Sequence, residues 1–134
     1  MLTRLAVLLL MTSQFFPRTV ADPSGRYYGV KQVGADPYGY QSLELTLTAK
    51  ATTATMIWVR RDETDERERK ELTLTDLKID THGLSATVKG ARPAGIPATW
   101  KGKFMTKAPP ANAKGPVQEG LLLDGDWFLE VTAP

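Results

Sequence analysis

Leu43-Glu44-Leu45-Thr46-Leu47-Thr48 decides how this chain is read. Apolar and polar residues alternate there with period two. Leu43, Leu45 and Leu47 therefore project to one face and Glu44, Thr46 and Thr48 to the other, as in a half-buried β-strand. The period recurs on both sides. Ala54, Met56 and Trp58 alternate with Thr55, Ile57 and Val59. Leu84, Ala86 and Val88 align, Trp100, Gly102 and Phe104 oppose Lys101, Lys103 and Met105, and Trp127, Leu129 and Val131 share a face.

Turn chemistry separates these runs. Gly34–Gly39, Lys50–Thr52, Thr81-His82-Gly83, Gly90–Pro97 and Lys107–Pro116 are rich in Gly, Pro, Asp or small polar residues. Asp124-Gly125 between Val117–Leu123 and Asp126–Thr132 is a hairpin signal. Gly29 inside the first strand, Arg26–Val33, marks a bulge or bend. The step from Leu74 to Leu77 breaks the alternation by one residue, which puts a bulge or strand boundary at Asp76. Connections this short make sequential strands neighbours. The expected fold is all-β: an antiparallel meander of about eight strands closing into a small up-and-down barrel, because closure removes exposed edges. The alternative is a two-sheet β-sandwich.

Residues 1–21 have a different character. Arg4 precedes the apolar run Leu5–Met11, and Thr19-Val20-Ala21 places small residues where a signal peptidase cuts. The expectation is a cleavable signal peptide over 1–21 and a single β-barrel domain over 22–134. The run is too short to span a bilayer, which takes roughly 20 residues, so no membrane span is expected. The chain carries a net charge of +2. Losing Arg4 and Arg18 with the leader reduces the 17 Lys and Arg to 15, against 15 Asp and Glu. A neutral domain lacks the electrostatic footprint of a nucleic-acid binder and the basic patch that anionic lipid needs. With no Cys, disulfide scaffolds, thiol nucleophiles and Cys-ligated metals are excluded. Asn112 is not in a glycosylation sequon. A bacterial periplasmic or secreted location is expected.

Gly25-Arg26-Tyr27-Tyr28-Gly29, Leu43-x-Leu45-x-Leu47, Leu74–Asp80 leading to Leu84–Val88, Trp100-Lys101-Gly102-Lys103-Phe104 and Gly125–Leu129 together resemble the small exported bacterial β-meander proteins. These are calycin-like, or lipocalin-like, in layout and mostly uncharacterised. The resemblance spans nearly the whole of 22–134 and implies a barrel. Gly25-Arg26-Tyr27 has Tyr where the lipocalin signature has Trp, so no lipocalin ligand carries over.

The aromatics are the candidate ligand-binding residues. Trp58, Trp100, Trp127 and Phe104 fall on inward faces, where they either fill the core or line a small pocket for an apolar or aromatic ligand. Tyr27 or Tyr28 would orient that ligand, and Tyr38 and Tyr40 beside Gly39 would form a rim. Other groups organise poorly. Asp62, Glu63, Asp65 and Glu66 lack the spacing and Gly of a calcium loop, so Arg60–Glu71 reads as a solvated hairpin tip. His82 is the single His, too few for a usual zinc site. Thr-x-Thr repeats suit a solvent face. Glu44, Asp80, Glu119, Asp126 and Glu130 are scattered, with no acid–base pair. No metal, cofactor or catalytic residue is expected.

The leading reading is an exported, soluble, non-enzymatic barrel that binds a small ligand or a protein partner. Its rival is an envelope interaction or inhibitor module with a filled interior, using loops Gly34–Gly39 and Gly90–Pro97 as contact surfaces. A hydrolase or lyase stands third, since acid–base candidates are sparse.

Overall fold

The computed structural model describes residues 14–32, 39–62, 66–110, 114–124 and 127–132. Every element in it is a strand: β1 Gln14–Pro17, β2 Gly25–Gln32, β3 Tyr40–Leu47, β4 Ala54–Arg61, β5 Arg67–Ile79, β6 Gly83–Lys89, β7 Thr99–Ala108, β8 Gln118–Leu123 and β9 Trp127–Thr132. Strands β2 to β9 pair in sequence order, all antiparallel, and β9 returns to β2. The result is a closed eight-stranded up-and-down barrel with β1 as an extra strand outside the ring. The sandwich alternative falls away because β2–β9 pairing leaves no second sheet.

Period-two alternation builds the core. Leu43, Leu45, Met56, Leu72, Leu74, Phe104, Leu121 and Leu129 all point inward and are buried. Eight strands enclose an interior just wide enough for side chains to fill. Closure is narrow, because β2 and β9 pair only over Arg26–Thr132, Tyr27–Val131 and Tyr28–Glu130. Gly29 lies next to this seam. A Cβ there would fall 2.3 Å from the Phe128 carbonyl oxygen, so the close approach of the two backbones requires Gly.

One sequence expectation changes in detail and another holds. The charge run is not all hairpin tip, since Arg67–Lys70 belong to β5, a strand of 13 residues. Their partners are Arg61 to Trp58 on β4, so the polar residues extend the ladder past the apolar core. The tip is held by Asp62 and Glu66, whose backbone and side-chain groups exchange hydrogen bonds of 3.1 Å. Asp76 is a bulge, with φ of 50° and a register shift between Thr75 and Lys78.

Residues 14–21, assigned in the sequence to the leader, contact the barrel. Strand β1 pairs with β7 from Gln14–Ala108 to Pro17–Met105. Val20 packs against the core and its N–H donates to the Thr81 carbonyl at 2.9 Å. Arg18 pairs with Glu119 at 3.2 Å. Strand β1 escapes a period-two reading because its four residues, Gln-Phe-Phe-Pro, are all exposed and carry no alternation.

Candidate functional site

The interior aromatics were read from the sequence as candidate ligand contacts. Neighbouring strands alternate direction, so Trp58 late in β4, Trp100 early in β7 and Trp127 at the start of β9 meet at one end of the barrel. Tyr27 and Phe104 lie toward the other end, with ring centroids 6.3 Å apart. All five are packed: Trp58 is 3% exposed, Trp100 1%, Trp127 3%, Phe104 0% and Tyr27 1%.

The polar atoms of Trp58, Trp100 and Tyr27 are satisfied from within. The Trp58 indole N–H donates to Gln41 Oε1 at 3.1 Å. The Trp100 indole N–H donates to the Asp124 carbonyl at 2.8 Å. The Lys31 ammonium sits 5.2 Å above the Trp127 ring, a cation–π contact. Tyr27 donates its hydroxyl hydrogen to the Pro23 carbonyl at 2.8 Å. Burial pushes the Tyr27 phenol above its ordinary pKa, partly countered by Arg18 and reinforced by Asp22. Tyr28 is its chain neighbour and therefore faces outward, 42% exposed. The two tyrosines are on opposite faces and do not converge on one ligand. Tyr40 is half-buried between Gln32 and Arg61, and Tyr38 lies outside the described residues.

The proposed contact loops differ in what they offer. Of Gly34–Gly39 only Gly39 is described, and it is buried. In Gly90–Pro97, Pro93 and Ile96 fold back onto the core, and Arg92 donates to the Ile96 carbonyl at 3.0 Å. Gly95, Ile96 and Pro97 line a hollow of about 430 Å³ with Asp124.

A larger cleft, about 610 Å³, opens where β5, β6, β7 and the β1 terminus meet. It runs along the wall from the Lys101–Ser85 row, next to Trp100, toward Met105, and the period-two pattern does not reveal it. Its origin is a local shortage of side-chain volume. The outward positions of β6 are Gly83 and Ser85, opposite Lys103 and Lys101 on β7. Ser85 also faces Lys78 on β5. Two small residues thus lie between three lysines. Gly83 is obligatory, since a Cβ there would fall 2.1 Å from the Gly102 carbonyl oxygen. Met105 and Pro17 supply outward apolar edges, while Ile79 and Leu84 behind them belong to the core.

The charge of this cleft is one-sided. Arg18, Lys78, Lys101 and Lys103 line it, with Asp80 the one carboxylate among the described residues that line it. Asp80 Oδ1 accepts the backbone N–H groups of His82 at 2.7 Å and Gly83 at 2.9 Å. These bonds hold its pKa below the ordinary value. The carboxylate is thereby committed to the β5–β6 turn. Among the described residues, no group of three or more His, Cys, Asp and Glu could hold a metal ion. No helix of the described residues is long and apolar enough to cross a membrane.

The fold and the cleft define a small closed antiparallel barrel, consistent with a calycin-like layout, with a cationic recess in its outer wall. No protein-family model, curated protein or solved structure matches the chain.

Proposed function

We propose that this chain is an exported, non-enzymatic binding barrel that meets its partner on its outer wall and uses its interior as a core. The observation that supports this most is the near-complete burial of the inward aromatics, from 0% to 3% exposed. A packed interior of this kind belongs to the filled-barrel reading, an envelope interaction or inhibitor module, in preference to an internal apolar pocket. The non-enzymatic part is supported by Asp80, the carboxylate nearest His82 in sequence. Its Oδ1 is committed to two backbone N–H groups of its own turn, which favours a structural role for this carboxylate over an acid–base one. Membership of the exported β-meander group, and a periplasmic or secreted location, belong to the same proposal.

Amide and indole N–H resonances of isotopically labelled protein test the reading. Fractionated envelope extract and a metabolite panel should shift outer-wall amides and leave the three indole signals in place. Saturable shifts of all three indoles with an apolar aromatic probe, accompanied by a rising melting temperature, would overturn it in favour of an internal pocket.

A further inference from the structure

The geometry points to the cleft between β5, β6 and β7 as a binding site for a single-chain amphiphile with an anionic head, a carboxylate or a phosphate. This rests on the reading of the outer wall as the binding surface and names the ligand class.

Lys78, Ser85 and Lys101 form one cross-strand row on the outer face. Adjacent strands are about 4.8 Å apart, so the two lysines stand roughly 10 Å apart across Ser85. Lys103 lies two residues along β7 from Lys101, about 7 Å away. None of these three ammonium groups has an ion pair or side-chain hydrogen bond among the described residues. Like charges held this close repel, and an anion over Ser85 relieves all three at once. The Ser85 hydroxyl adds a donor at the centre.

Nearby acidic groups are already engaged. Asp80 is bound by its own turn, and Glu119 is paired with Arg18. With Arg18 balanced by Glu119, the excess positive charge of the cleft comes from Lys78, Lys101 and Lys103. A free inorganic anion would use only the lysines. Met105 and Pro17, which share the outward face with Lys103, together with the lysine stems, favour a ligand that carries a hydrocarbon body. The volume of about 610 Å³ falls within the usual range for small-molecule sites.

Decanoate and decyl phosphate, kept below their micelle concentrations, are the probes for calorimetric and resonance titration against the full chain. Both should bind saturably, shift the amides of residues 78–85 and 101–105, and weaken as salt is raised. Decyltrimethylammonium, acetate and inorganic phosphate should bind at least tenfold more weakly. The double change Lys101→Glu and Lys103→Glu should reduce affinity for decanoate at least tenfold while the melting temperature and circular dichroism stay unchanged. Ser85→Leu, which fills the recess and keeps the charges, should do the same.

Several results overturn the assignment. Equal binding of the cationic chain, or decanoate affinity unaltered in both variants, removes the charge argument. Binding to anionic vesicles with none to the monomeric probes makes the surface a membrane contact. No decanoate binding, with extract fractions still shifting the same amides, leaves the outer-wall reading intact and rejects the amphiphile. Decanoate shifting the three indoles rejects both readings.

Discussion

The backbone N–H of Arg18 donates to the carbonyl of Phe104 at 3.1 Å, and the N–H of Phe104 donates to the His82 carbonyl at 2.9 Å. One residue of β7 thus joins two segments in series along the same edge, β6 below and the N-terminal segment above. The strand β7 is ten residues long and extends past the start of β6. Residues 14–18 cover the backbone that this overhang would otherwise expose.

A chain starting at Asp22 should therefore be less stable than one starting at Gln14. It loses the β1 ladder, the half-buried Val20 and the Arg18–Glu119 pair. The expected loss is about 2 kcal/mol, chiefly from apolar burial and backbone hydrogen bonds, because the ion pair is partly exposed and contributes little. Urea unfolding of the two chains measures it. Equal midpoints would show that the segment merely rests on the barrel. Sequencing the N-terminus of the protein isolated from its host shows whether residues 14–21 are retained.

Trp100 ties β7 to the β8–β9 hairpin through its indole N–H and the Asp124 carbonyl. Trp100→Phe keeps an aromatic ring, removes the donor and leaves a void. Destabilisation of about 2–3 kcal/mol is expected, read from the denaturant midpoint. A change below about 0.5 kcal/mol would mean that the interior repacks freely, contrary to a tightly filled core.

Tyr27 gives the fold a dependence on alkaline pH. Its phenol is raised above 10.0 in the folded state, with burial the largest cause. The folded state therefore favours the protonated form. The stabilisation is fully present below the unfolded pKa of about 10 and is lost as pH rises through the folded value. Melting temperatures measured from pH 8 to 11 should fall more steeply for the parent than for Tyr27→Phe. Parallel curves would show that the phenol does not titrate with unfolding.

Gly29→Ala tests the seam. The added Cβ would meet the Phe128 carbonyl oxygen and the Leu129 side chain, forcing β2 and β9 apart where they pair over three residues. A loss of more than about 2 kcal/mol, or failure to fold, is expected. A soluble variant with native amide shifts around Gly29 would sink the claim that Gly is required there.

Much of the barrel was legible along the chain. Strands β3, β6, β7 and β9 announce themselves because each buries one face, and burial on one face imposes alternation. The bulge at Asp76 was legible for the same reason, as a slip in that alternation. Strand β1 was not, since its four residues are exposed and carry no pattern. The first half of β5 was hidden by its charges: Arg67–Lys70 pair with β4 but are mostly exposed, so no burial imposes alternation on them.

Composition and period named the inward side chains and the all-β class, because those depend only on how residues alternate within one strand. They also gave near-neutral overall charge and, from it, the expectation that no basic patch exists. The cleft contradicts that expectation locally. Lys78, Ser85 and Lys101 lie on three successive strands and come together through two strand registers. Register is a relation between strands, fixed by turn lengths, a bulge and barrel closure, so the concentration of lysines around two small residues exists only in the folded wall.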